Sequence, residues 1–320
     1  MLYFPRIYPN EYLYSVVLRY DRHTGNNNIE RSFKDIFGNN SKTKQNKNKI
    51  EYFNNNFQII LGLDFKTFLI EHTNLRLSIP FNKRIVMGSN TDYFFKFIYP
   101  LHIKSSALGL KKLPSYISYL KYCEECYNED VNMYGEGYYH LDHQYEGNYF
   151  CKKHSRLLNI SMPLNYNQRF PDFEINNKNF TKINIKSDKQ YLELAKLSFD
   201  IYLLSKNPIF YMDIFEELVT YKDILIRKGY GYKHSKNIKQ EKVYLDFIEF
   251  FTKESLLLLD IYPNKENSCD WLKKITKNSI YTYKSDLSHI HHLMFIRFFK
   301  NVKRDGRYEK IEKKLYKVIN

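Results

Sequence analysis

The stretch from Lys121 to His154 reads KYCEECYNEDVNMYGEGYYHLDHQYEGNYFCKKH and holds two short ligand pairs, Cys123 with Cys126 and Cys151 with His154, in the pattern C-x2-C-x24-C-x2-H. Zinc in structural sites takes four tetrahedral ligands, and two close-spaced pairs on separate knuckles close that tetrahedron without straining the backbone. Four protein ligands leave no open position for water, so the spacing predicts one structural Zn2+ per chain, acting as scaffold rather than in hydrolysis. The competing readings are buried thiols beside a surface histidine, or disulfides. Disulfides need an oxidising compartment, and Met1 to Pro9 shows no basic region followed by an apolar run, so a reducing cytoplasm is expected. The fourth cysteine, Cys269, is read as a small core residue.

Working outward, the chain of 320 residues is long enough for two or three modules. No apolar run approaches the roughly 18 residues of a membrane span. The formal charge of +15 points to a polyanionic partner, nucleic acid or an acidic membrane face. Part of that charge reflects a general excess of Lys, Asn, Ile and Tyr, so it weighs less than its size suggests. Thirty tyrosines supply flat amphipathic surface, most of it for packing.

The fold class expected is mainly α, in several modules, with a small β-containing zinc-knuckle module and elements like a helix-turn-helix. Residues 10–22 carry Leu13, Val16, Val17 and Tyr20 at helical spacing, which predicts an amphipathic first helix. The polar run Asn39 to Lys49 reads as a loop, and Phe57 to Leu69 with Tyr93 to Tyr99 is apolar enough to complete a first core. These make a helical module over residues 1–113, followed by the zinc module over 114–163, in which Tyr138 to Gln144 and Asn148 to Phe150 are read as short strands. Residues 164–189, rich in Asn, Lys and Pro, read as a linker. Residues 190–320 form a helical module: Tyr191 to Leu204, Ile214 to Lys228 with a cap at Gly229, and Ile238 to Thr252 are predicted helices, the last two joined by a loop over Tyr230 to Asn237. That outline fits a DNA-reading helix-turn-helix and equally an antiparallel helix pair with a solvated lysine face.

The residues around the ligands carry more than spacing. Tyr122-Cys123-Glu124-Glu125-Cys126, Tyr134-Gly135-Glu136, Tyr138-Tyr139-His140, His143-Gln144, Gly147 and Cys151-Lys152-Lys153-His154 resemble the signature of the TnsD/TniQ family. Tyr8-Pro9-Asn10-Glu11, Leu13, Ser15 and Arg19-Tyr20 resemble that family's opening motif, and Glu71-His72-Thr73 a third element. In the second half Tyr221, Leu225, Lys228-Gly229, Ile238, Trp271-Leu272 and His292-Leu293 resemble the helical region of TnsD proteins more loosely. The prolines usual after the first cysteine of each pair are Glu124 and Lys152, and the usual Trp, Arg and final Gly are Tyr139, Leu141 and Ser155. None is a metal ligand, so the resemblance carries zinc binding over to Cys123, Cys126, Cys151 and His154.

What the resemblance implies is target selection for a heteromeric transposon: binding of attachment-site DNA and recruitment of an AAA+ ATPase regulator, without catalysis. Arg19, Lys233, Lys236, Lys239 and Lys242 are the expected phosphate contacts. The alternative is an adaptor that bridges a CRISPR effector to the ATPase without reading DNA, and a third reading is a metal-dependent nuclease or transposase subunit. No G-x-x-x-x-G-K-[ST] loop cradles phosphate and no G-x-S-x-G elbow presents a nucleophile, which argues against an ATPase or a serine hydrolase. His140 and His143 are expected beside the metal or stacked near Tyr139, and His289, His291 and His292 are expected to straddle a buried helix face.

Overall fold

The computed structural model describes residues 3–37, 54–78, 120–161, 180–207, 221–232, 235–264, 270–273 and 288–301. The chain divides into two compact units, Met1–Arg76 with Arg84–Asn184, and Leu77–Lys83 with Ile185–Asn320. Helices dominate both, and the few strands are short.

In the first unit, α1 (Leu13–Thr24) buries Leu13, Val16, Val17 and Tyr20, the stripe that its spacing predicts. Arg22 and His23 sit in its last turn, where cations favour the negative end of the helix dipole. Helix α2 (Ile29–Phe37) starts where the Asn28 side chain accepts the Arg31 amide at 3.0 Å, and it packs against α1. Helix α3 (Phe65–His72) is capped by Asp64, whose carboxylate accepts the Thr67 amide at 2.7 Å. Phe68 and Leu69 of α3 are buried, with Phe4 edge-on to Phe68. Ile59, also expected in this core, is 92% exposed, and Tyr93 to Tyr99 lie outside the described residues.

The ligand region runs β1 (Lys121–Tyr122), α4 (Glu124–Tyr134), α5 (Leu141–Gln144), β2 (Phe150–Cys151), β3 (Arg156–Leu157), β4 (Asn159–Ser161) and β5 (Phe180–Lys182). Strands β1, β4 and β5 form an antiparallel sheet in that order, with Tyr122 opposite Asn159 and Ile160 opposite Thr181. Strands β2 and β3 form a hairpin that sets Cys151 opposite Arg156. The strand expected over Tyr138 to Gln144 is instead an isolated bridge between Glu11 and His140 followed by the turn α5. The reason is local. Gln144 satisfies both backbone groups of Lys121 with its side chain, accepting the amide at 3.0 Å and donating to the carbonyl at 2.6 Å, so no strand is needed there.

The sequence divided residues 1–113 from 114–163, whereas α1 and the ligand region share one compact unit. The break at Asn184 and Ile185 falls inside the stretch read as linker, although β5 within that stretch pairs with β4.

The second unit opens with α6 (Asp188–Lys206), capped by Ser187, which buries Leu194, Leu197, Ile201 and Leu204. Helix α7 (Tyr221–Leu225) runs into a wide turn, Ile226–Tyr230, where Gly229 takes φ 90, a left-handed value that a side chain would strain. Residues 208–220, which include the start of the expected helix, lie outside the described residues, as does Cys269. The loop expected over Tyr230 to Asn237 is a β-hairpin, β6 (Gly231–Tyr232) with β7 (Ser235–Ile238), before α8 (Gln240–Phe251) and α9 (Lys253–Leu258). The Lys239 amide donates to the Tyr230 carbonyl at 2.7 Å and closes the base of that hairpin, so the two helices are joined by paired strands rather than by a three- or four-residue turn. Helix α10 (His289–Asn301) sets Phe295 and Phe298 against Phe247 of α8, and Arg297 holds Glu193 of α6 at 2.8 Å. Among the described residues no helix is long and apolar enough to cross a membrane.

Candidate metal centre and the polar knot beside it

Cys123 ends the approach from β1 and starts α4, Cys126 lies in the first turn of α4, and Cys151 and His154 flank the β2–β3 turn. Their ligand atoms lie within 4.8 Å of one another, and Cys123, Cys126 and Cys151 are buried with Leu158. The separations are informative. His154 Nδ1 stands 3.4, 3.3 and 3.6 Å from the sulfurs of Cys123, Cys126 and Cys151, and Cys126 Sγ stands 3.6 Å from Cys151 Sγ. A tetrahedron with metal–sulfur bonds of about 2.3 Å and metal–nitrogen bonds of about 2.0 Å has edges of roughly 3.5 to 3.8 Å. The donor set therefore fits a thiophilic ion of that size, and His154 turns Nδ1, not Nε2, toward its centre.

In the same unit, residues from three sequence motifs converge on Arg19. Its guanidinium is 2.9 Å from Glu11 Oε2 and 2.7 Å from Glu136 Oε1, donates to the Arg6 carbonyl at 2.9 Å, and lies 3.8 Å over the Tyr8 ring. Glu11 also accepts the Tyr8 amide at 2.9 Å and the Ser15 hydroxyl at 3.0 Å. Ser15 in turn accepts the Tyr139 amide at 3.0 Å, and the Tyr138 hydroxyl donates to the Pro9 carbonyl. His72 Nδ1 is 2.7 Å from the Glu11 carbonyl oxygen. Glu136 further engages Arg22, His23 and the Tyr8 hydroxyl. Burial works against the Glu136 carboxylate, but Arg19, His23 and Tyr8 outweigh it and hold its pKa below the usual 4.5. Burial pushes Glu11 up, opposed by Arg19, the Tyr8 amide and Ser15.

Arg19, expected at a phosphate, is thus 1% exposed and held by carboxylates, so the structure removes it from the DNA-facing set. Lys233 lies outside the described residues, and Lys236 falls on β7. Lys239 and Lys242 flank the start of α8, their amines 5.8 Å from the Tyr232 ring and 5.5 Å from the Tyr230 ring, within reach of cation–π attraction. Tyr232 is 55% exposed.

His140 and His143 are not in the ligand cluster. His140 stacks on Tyr138 rather than Tyr139, centroids 4.4 Å apart, and its Nε2 is 2.8 Å from Asp130 Oδ2. His143 is buried and pushed down to about 4 by burial. In α10, His289 and His292 are buried, His292 Nδ1 pairs with the Tyr221 hydroxyl at 2.8 Å, and His291 packs edge-on to Trp271. Sequence reading missed Lys121, a buried amine that donates to the Tyr145 and Asn148 carbonyls at 2.8 and 2.7 Å and that burial pushes down to about 7. Its only signal was its place two residues before the first cysteine.

A family model described as TniQ matches residues 2–158, and one described as Tn7-like transposition protein D matches residues 197–318. No curated protein matches the chain. The chain belongs to the TnsD/TniQ family and is a Tn7-like transposition protein of the target-selection class.

Proposed function

We propose that the protein binds attachment-site DNA through Lys233, Lys236, Lys239 and Lys242, the last two at the junction of hairpin and helix, and recruits an AAA+ ATPase that summons the transposase. It works in the cytoplasm, on the chromosome, and catalyses nothing itself. The metal is one zinc ion per chain held by Cys123, Cys126, Cys151 and His154. When bound it supplies cross-linking of the knuckles rather than chemistry, since four protein donors complete its coordination. The observation that carries the reading is the pair of family matches, with a TniQ-type half that contains the ligand cluster and a TnsD-type half that contains the basic hairpin.

Selection of bound fragments from host genomic DNA by the zinc-loaded protein, at about 150 mM salt, tests it. One discrete enriched locus is expected. Recovery of no preferred locus would replace direct readout with an adaptor that sits on a CRISPR effector and bridges it to the ATPase. Elemental analysis well below one zinc per chain would remove the metal assignment.

A further inference from the structure

With Nδ1 of His154 directed at the three sulfurs, the opposite ring nitrogen is left with a proton and needs an acceptor. Glu129 supplies it: His154 Nε2 is 3.3 Å from Glu129 Oε1. Glu129 lies one turn beyond Cys126 on α4, so the helix that delivers the first ligand pair also delivers the carboxylate. Its other oxygen pairs with Lys153, the residue before His154. We infer that Glu129 is the positioning residue of the metal centre, fixing the His154 ring in the tautomer that presents Nδ1 to the ion. The inference rests on the metal assignment above.

Among the described residues two carboxylates, Glu125 and Glu129, approach the cluster, and the role falls to Glu129. Glu125 Oε2 is 3.2 Å from Cys123 Sγ, while Glu125 Oε1 pairs with Arg156 at 2.8 Å. A metal-bound Cys123 is a thiolate and keeps no proton to give, so Glu125 has no bond to make to the ligand in the loaded state. The imidazole differs because it keeps its N–H when the ion binds. An ion on Nδ1 withdraws electron density and makes that N–H a better donor, while the carboxylate raises the basicity of Nδ1. Charge balances at either carboxylate, since Lys153 offsets Glu129 as Arg156 offsets Glu125. Three thiolates and a divalent cation leave one net negative charge, to which Glu129 adds another, and Lys153 on the far carboxylate oxygen offsets it.

The test is zinc affinity by competition with a chromophoric chelator, on the full-length protein, for wild type, E129A and E129Q, each also in an H154C background. Outer-sphere partners of metal-bound histidines typically contribute 10- to 100-fold in affinity. E129A is expected to weaken zinc by that range, and E129Q by less, because the amide oxygen still accepts the N–H. In H154C, where no ring needs orienting, both substitutions should leave affinity unchanged. Long-range 15N NMR of histidine-labelled protein should show His154 protonated on Nε2 in the wild type and exchanging between tautomers in metal-free E129A. An affinity change under threefold in E129A, or an equal loss with and without His154, would overturn the inference while leaving the zinc reading intact. Wild-type protein that binds no zinc would overturn both.

Discussion

The guanidinium of Arg19 and the carboxylate of Glu11 meet at 2.9 Å with both side chains out of solvent, and Glu136 closes the other side of the guanidinium. A charge pair so placed brings little net stability compared with an apolar pair of equal volume, because desolvating two ions offsets their attraction. Breaking it is another matter. Arg19→Met leaves Glu11 buried without its counterion and is expected to cost about 3–5 kcal/mol. Adding Glu11→Gln should restore part of that loss, and the double-mutant cycle in urea measures the coupling. A cost below 1 kcal/mol for Arg19→Met would mean that the knot does not hold the opening segment to the ligand region.

That knot shows how far the sequence could be read. The helical stripe of α1 and the two close-spaced pairs that gather Cys123, Cys126, Cys151 and His154 into a cluster able to hold a metal ion are local patterns, and both are legible because a period or a short loop fixes geometry on its own. Arg19, Glu11, Glu136 and His72 stood in the text of three motifs, yet which charge faced which depended on a fold that joins residues 117 apart in sequence. A basic residue read without its partners looks like a phosphate contact, which is how Arg19 was misassigned. The turn at α5 and the hairpin at β6 and β7 escaped for a related reason. The turn is accompanied by two bonds from the Gln144 side chain to the Lys121 backbone, and the hairpin by its own strand pairing with the Lys239 to Tyr230 bond at its base, and apolar periodicity signals neither.

His140 offers a pH readout. Burial lowers its pKa, but the hydrogen bond and charge of Asp130 prevail, so the folded value stands above the ordinary 6.5. A raised value means that the folded state binds the proton more tightly. The stabilisation is therefore fully present below pH 6.5 and is lost as pH rises through the folded pKa. Asp130→Asn should lower the His140 pKa, because burial is then opposed only by the charges of Asp142 and Cys151, and should cost about 1–2 kcal/mol below pH 6.5. NMR titration of the His140 ring checks both signs, and an unchanged pKa in Asp130→Asn would refute the pairing.

Gly137 tests the packing between α4 and the segment that follows it. A Cβ built there would stand 2.1 Å from the Tyr127 ring, closer than any atom tolerates, so Gly137→Ala must push the ring aside. Overpacking of this kind typically costs about 1–3 kcal/mol. Tyr127→Ala removes the obstacle, so the alanine at 137 should be close to neutral in that background. Thermal denaturation of the four proteins settles it, and a purely backbone effect would show as the same loss in both backgrounds.

Lys239 and Lys242 bear on the proposed DNA surface most directly. Each amine lies over a tyrosine ring at the junction of hairpin and helix, without a carboxylate partner in the contacts described for it. A lysine that contacts a phosphate releases a counterion, and losing one such contact lowers the slope of log K against log salt by about 1. Lys239→Ala with Lys242→Ala should therefore lower that slope by about 2 and weaken genomic and scrambled DNA by similar factors, because phosphate contacts position without reading sequence. Arg19→Met, if folded, should leave the slope unchanged, since its guanidinium faces Glu11 and Glu136 and not solvent. Fluorescence anisotropy on a labelled duplex between 50 and 300 mM salt measures all three proteins. An unaltered slope in the double lysine variant would move the DNA contact away from this hairpin.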